Sequence, residues 1–210
     1  MTTADETELW FIRHCQSYGN VTLPDEPEHL PDDYPLTTLG LRQARALASR
    51  FEKGGVDAIY ASTLLRTVQT VYPTAEKLGL RIKMVPELME FRTEIPMTDP
   101  AIIARDYPRA FFRDLKGLDI ADETQEDAVR RADKIYNEIL NENPGAGRIL
   151  IATHGGFIGY LVRKALGLSL PEHFQWELEN GGITAVRLRR GKLPLLLAAN
   201  DRAHLPGSLR

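Results

Sequence analysis

Two histidines in this chain each close a short apolar run, and the residues around them suit phosphoryl chemistry. Leu9-Trp10-Phe11-Ile12 leads into Arg13-His14, and Ile149-Leu150-Ile151-Ala152 leads into Thr153-His154-Gly155-Gly156. Two further apolar runs are followed by Ser62 and Arg66, and by Glu87 and Glu90. In open α/β sheets ligands bind beyond the carboxyl ends of the strands, so these residues are expected to converge. Guanidinium forks match phosphate oxygens bidentately, and phosphoryl transfer depends mainly on positioning and on charge around the equatorial oxygens. Arg13 and Arg66 are the expected clamp. A neutral imidazole is a competent nucleophile and nearby guanidinium charge favours the neutral form, which makes His14 the expected attacking group. Glu90 is the expected proton donor to the leaving oxygen, provided phosphate and burial keep it protonated; Glu87 is the fallback. His154 is expected to touch the phosphoryl group. Gly155-Gly156 would let the backbone approach, with N–H groups at a helix start adding anion affinity.

The elements that must position these groups alternate along the chain. The loop-like text from Tyr18 to Asp33 precedes Thr37 or Thr38, either of which can cap a helix running to about Lys53. Leu41, Ala44, Leu47, Ala48 and Phe51 form its apolar stripe. Val56–Ala61 reads as a strand, Leu64–Leu78 as a helix stopped by Gly79, and Leu80–Val85 as a third strand. Pro96, Pro100 and Pro108 punctuate residues 91–122, read as a small lid. Arg105, Arg109 and Arg113 would share a helix face were Pro108 not between them, so a solvated face is expected there. An amphipathic helix over Thr124–Leu140, a strand from Arg148, a helix over Phe157–Leu166 and a hairpin around Arg190-Gly191-Lys192 complete the pattern. The prediction is a three-layer α/β/α sandwich with a mainly parallel sheet, one domain over residues 1–210.

Bulk properties narrow the partners. At 210 residues and 43% hydrophobic content the chain can bury one substantial core. Its net charge of -3 argues against a general nucleic-acid or anionic-membrane partner. Cys15 is the single cysteine, which excludes an intrachain disulfide and a multi-cysteine zinc site and favours a cytoplasmic setting. The polar, acidic start is unlike a secretory signal, and no apolar run reaches membrane-spanning length. Compact metal-ligand spacing is missing and the arginines would repel a divalent cation, so a metallohydrolase is disfavoured.

The motifs together resemble the histidine phosphatase, or phosphoglycerate mutase-like, superfamily. Arg13-His14-Cys15-Gln16-Ser17 with Asn20 is similar to its nucleophile signature, and Pro35-Leu36-Thr37 with Gly40 and Gln43-Ala44 to its helix-entry motif. Ser62 with Arg66-Thr67 and Gln69-Thr70, Leu88 with Glu90, and Thr153-His154-Gly155-Gly156 resemble the three motifs that follow. Asn180 and the segment from Asp201 to His204-Leu205 are weaker echoes. The resemblance implies that His14 is phosphorylated, that Arg13, Arg66 and His154 bind the phosphoryl group, and that Glu90 serves as acid and then base. Ser17, Asn20 and Gly155 would be further substrate contacts. It implies a phosphatase of small phosphomonoesters or phosphorylated metabolites, without metal or organic cofactor. A phosphoglycerate mutase-type transferase and a silent phosphate-binding module are the alternatives. Cys15 stands where the family has glycine. Its place beside His14 predicts sensitivity to thiol reagents, with a small buried filler as the alternative.

Overall fold

The computed structural model describes residues 6–21, 33–53, 55–91, 97–113, 122–169 and 176–210. Its strands are β1 (Glu6–Arg13), β2 (Ala58–Ala61), β3 (Ile82–Met84), β4 (Ala110–Phe112), β5 (Arg148–Thr153), β6 (Ile183–Arg189) and β7 (Leu195–Asp201). They form one seven-stranded sheet in the order β4-β3-β2-β5-β1-β6-β7. The five strands from β4 to β1 run parallel, whereas β6 and β7 are antiparallel additions.

Alternation along the central strands sends side chains into two cores, one on each face. Phe11, Ile149 and Ile151 pack with Ile135 and Ile139 of α4 (Gln125–Glu142) and with Phe157 and Leu161 of α5 (Gly155–Leu166). Ile12, Leu150 and Ala152 pack with Leu47 of α1 (Thr38–Arg50) and with Val68, Val71 and Ala75 of α2 (Leu65–Leu78). The expected three-layer sandwich is therefore present. Local signals set its edges: Thr37 caps α1 by accepting the Gly40 N–H at 3.0 Å, and Gly79 ends α2 at φ +70°.

Several boundaries differ from the sequence reading. Leu41 is exposed and does not join the apolar stripe of α1. Helix α5 begins at Gly155, so the glycine pair forms its first turn. Part of the expected lid belongs to the sheet: after α3 (Pro100–Asp106), Ala110–Phe112 pairs with β3 as its edge strand. The rest of that expectation includes residues 92–96 and 114–121, which lie outside the described residues, as do His29 and His173, two histidines whose polar or loop-like sequence surroundings give them no expected part in the site. The arginine stripe is broken as expected: Arg105 pairs with Asp106, Arg109 reaches the Leu80 carbonyl, and Arg113 pairs with Glu138. Among the described residues no helix is long and apolar enough to cross a membrane.

Candidate active site

Strand β1 delivers His14 to the carboxyl edge of the sheet, and the turn beyond it is held by three neighbouring elements. The His14 N–H donates to Thr153 O at 3.0 Å, the Cys15 N–H to Thr70 Oγ1 at 2.9 Å, and the Gln16 N–H to Gln43 Oε1 at 2.9 Å. His14 Nδ1 lies 2.8 Å from the Cys15 carbonyl oxygen. A carbonyl only accepts, so Nδ1 carries the proton and the lone pair is on Nε2. Burial, assisted by Arg66 and then Arg13 and partly opposed by the Cys15 bond, pushes the imidazole down to about 3. The arginines contribute to keeping it neutral, as expected, but desolvation is the larger cause.

Arg66 occupies the first turn of α2 and is buried. Its Nη1 stands 4.0 Å from a carboxylate that sequence reasoning missed, Asp33. Asp33 is itself buried and accepts from the Leu65 N–H at 2.9 Å, the Thr98 N–H at 3.1 Å and Thr98 Oγ1 at 2.7 Å. It thus caps α2, ties down the segment before α3, and sets an anion behind the guanidinium. Arg13 donates through Nη1 to the Leu178 carbonyl.

His154 precedes α5 with its ring centroid 5.3 Å from that of His14. Its Nε2 lies 3.0 Å from Ser62 Oγ, an atom that also accepts the Leu64 N–H at 3.3 Å. Having accepted from Leu64, the Ser62 hydroxyl keeps its hydrogen and a second lone pair; where it donates to Nε2, the His154 proton is on Nδ1. Burial, then Arg66, His14 and Arg13, holds His154 well below the ordinary histidine range. Positive charge at this site comes from the two arginines, not from the histidine.

Glu90 meets the same helix start. Its Oε1 accepts the Phe91 and Phe157 N–H groups at 2.9 and 3.0 Å, and its Oε2 accepts the Gly156 N–H at 3.2 Å. The helix-start donors expected to serve an anionic ligand are thus taken by this carboxylate. Both arginines feel the Glu90 charge. Glu87 instead acts on Arg113, away from the cluster. The glycine pair also has separate tasks. A Cβ at Gly155 would stand 3.3 Å from Arg13 Nε, and one at Gly156 would stand 2.9 Å from Glu90 Oε1.

Ser17 and Asn20 form an outer layer. Asn20 Oδ1 accepts from the Ser17 N–H at 3.1 Å, Ser17 Oγ at 3.0 Å and Asn180 Nδ2 at 3.1 Å. Asn180 Nδ2 also reaches the His14 carbonyl at 3.0 Å, so this layer fixes the turn that carries His14. Cys15 is fully buried and burial pushes its thiol up to about 12, which favours the buried filler over the reactive thiol. His204 packs near Arg50 and Asp201. Among the described residues no group of three or more His, Cys, Asp and Glu side chains is arranged to hold a metal.

Fold and site together define an α/β protein with two arginines beside an unprotonated, buried histidine at the carboxyl edge of its sheet. Residues 9–201 match the histidine phosphatase superfamily (branch 1), and the chain belongs to that family. Phosphoryl hydrolysis or transfer is accordingly its general class of chemistry. The chain is 26% identical over 209 residues to the "Probable phosphoglycerate mutase GpmB" of Yersinia pestis (strain Pestoides F), covering 94% of each chain. It also shares its fold with the ecdysone phosphate phosphatase of Bombix mori (TM-score 0.75, 18% identity, 96% of each chain). A phosphoserine phosphatase of Entamoeba histolytica is a second structural relative, at TM-score 0.66 and 22% identity over 95% of this chain and 100% of that one.

Proposed function

We propose that this protein is a phosphatase of small phosphomonoesters that works through a phosphohistidine on His14. The observation that carries the reading is the assigned tautomer of His14: Nδ1 is committed to the Cys15 carbonyl, so Nε2 is the nucleophilic atom. In the first step Nε2 bonds to phosphorus, the P–O ester bond breaks, and protonated Glu90 gives its proton to the leaving oxygen. The Nδ1–H bond to the carbonyl offsets positive charge that develops on the ring, while Arg13 and Arg66 hold the phosphoryl oxygens. Arg13 Nε and His154 Nδ1 are buried without a partner among the described residues, so both have capacity for an oxygen ligand. In the second step water attacks phosphorus, Glu90 takes its proton, and the N–P bond breaks to release phosphate and neutral His14.

Relatives named for phosphoserine and ecdysone phosphate support a small phosphomonoester substrate. On this reading the chain is a single catalytic domain of the cytoplasm and needs no metal, because two guanidinium groups supply the positive charge. Phosphate release from an aryl phosphate, abolished in His14→Ala, tests the proposal. A release rate unchanged in that variant rejects it. The probable phosphoglycerate mutase among the relatives favours a second reading, transfer to another hydroxyl. Interconversion of 3- and 2-phosphoglycerate faster than phosphate release would select it.

A further inference from the structure

Arg131 lies in α4 and is 7% exposed, yet the chemistry above does not use it. Its Nε and Nη2 grip the two oxygens of Glu123 at 2.7 and 2.6 Å, and Nη1 donates to the Glu87 and Met89 carbonyls at 2.8 Å each. The Glu123 side chain is buried to the same degree as that of Arg131, at 5% exposure. The carbonyl between those two, Leu88 O, accepts from Thr153 Oγ1 at 2.5 Å. Three successive carbonyls leading into Glu90 therefore receive side-chain donors, two of them from one guanidinium. The same guanidinium lies 4.1 Å from the centre of the Phe157 ring, and Phe157 N–H is a donor to Glu90 Oε1.

We propose that the buried Arg131–Glu123 pair is a positioning device for the Glu90 carboxyl: it holds both the turn that presents Glu90 and the helix start that receives it. The inference rests on the reading of Glu90 as proton donor. Stability alone is a poor explanation for the pair, since well-packed apolar residues often replace a buried ion pair without loss. A planar fork, in contrast, fixes several acceptors in one geometry, which an apolar side chain or a lysine does not. Arg131 also helps to keep His154 neutral.

The double variant Arg131→Met/Glu123→Leu tests this because it leaves no unpaired buried charge. Single-turnover phosphorylation by an alkyl phosphate and by an aryl phosphate with an acidic phenol is compared with that of the wild type and Glu90→Gln. Only the alkyl ester needs a proton for its leaving group. Loss of general acid help in Glu90→Gln is expected to slow the alkyl ester by about 10²–10⁴-fold. The double variant is expected to keep its fold and lose about 10-fold or more on the alkyl ester, with a much smaller loss on the aryl ester. Arg131→Lys keeps the charge, loses the fork and should show the same selectivity, which covers a failure of the double variant to fold. Selective loss in Glu90→Gln with a wild-type alkyl-to-aryl ratio in the folded Arg131 variants overturns the positioning role alone. Lack of selectivity in Glu90→Gln overturns the acid role, and the positioning role with it.

Discussion

A single methyl group at Gly40 sets two opposing effects against each other. Alanine in place of glycine inside a helix favours folding by about 0.8–1 kcal/mol. At Gly40, however, the added Cβ would lie 2.0 Å from the Gln16 carbonyl oxygen and 3.0 Å from its carbon. The oxygen is about 1.4 Å short of ordinary contact and belongs to backbone, so no rotamer change relieves it. That carbonyl accepts the Thr37 N–H at 3.0 Å, and the Gln16 N–H is held by Gln43. Overpacking of this kind costs about 1–3 kcal/mol, and a lost hydrogen bond adds roughly 0.5–1.5 kcal/mol. The clash therefore outweighs the helix gain, and Gly40→Ala should lose about 0.5–4 kcal/mol, or roughly 1–15 °C in Tm for a chain of this length. Gln16 follows the Cys15 carbonyl that orients His14, so kcat should fall by about 10-fold or more, in line with the cost of ångström-scale misplacement. Gly159, inside α5, has nothing within 4 Å of its would-be Cβ, which makes Gly159→Ala the matched control that should raise Tm. Thermal unfolding and turnover of the two variants are the assay. Gly40→Ala with wild-type Tm and kcat would refute the claim that close packing of α1 fixes the His14 turn.

Three further outcomes are expected. Chelators should leave turnover of phosphomonoesters unchanged; loss of activity that one divalent metal restores would contradict the assigned role of Arg13 and Arg66. Cys15, buried and with its thiol pushed up to about 12, should resist alkylation in the native protein and react after unfolding, by mass; rapid native alkylation would contradict this. His14, at about 3 in the folded protein against an ordinary value near 6.5, binds its proton in the unfolded state first, so stability is lost as pH falls through this window. The slope reaches about 1.4 kcal/mol per pH unit for each such histidine, and urea midpoints between pH 7 and pH 5 should fall for the wild type and fall less for His14→Gln.

The inner site was legible because strand ends are legible. Apolar runs that stop at Arg13-His14 and Thr153-His154 announce strands, and parallel pairing of β1 with β5 sets Arg13 opposite Thr153. The sequence reading prefers Glu90 and keeps Glu87 as the fallback, since both follow β3; the short turn Pro86–Leu88 sends Glu87 toward Arg113 and Glu90 to the start of α5. Asp33, Glu123 and Arg131 were not legible. Asp33 and the carbonyls that Arg131 binds are remote in sequence from their partners, and a carboxylate such as Asp33 or Glu123 in loop-like text reads like a solvated one until tertiary contacts pair it. Strand β4 escaped for a different reason: three residues are too few for alternation to show. The glycine pair was read as room for a ligand, but the clearances show that Gly155 makes room for Arg13 and Gly156 for Glu90.

The central claim is that His14 Nε2 becomes bonded to phosphorus. Wild type and His14→Ala should be mixed with a ³²P-labelled phosphomonoester and quenched within one turnover, followed by acid and base treatment and mass mapping of the labelled peptide. Label is expected on the peptide containing His14, stable to base and lost in acid, and none is expected in His14→Ala. Label that persists in His14→Ala, or turnover by that variant at the wild-type rate, would contradict it.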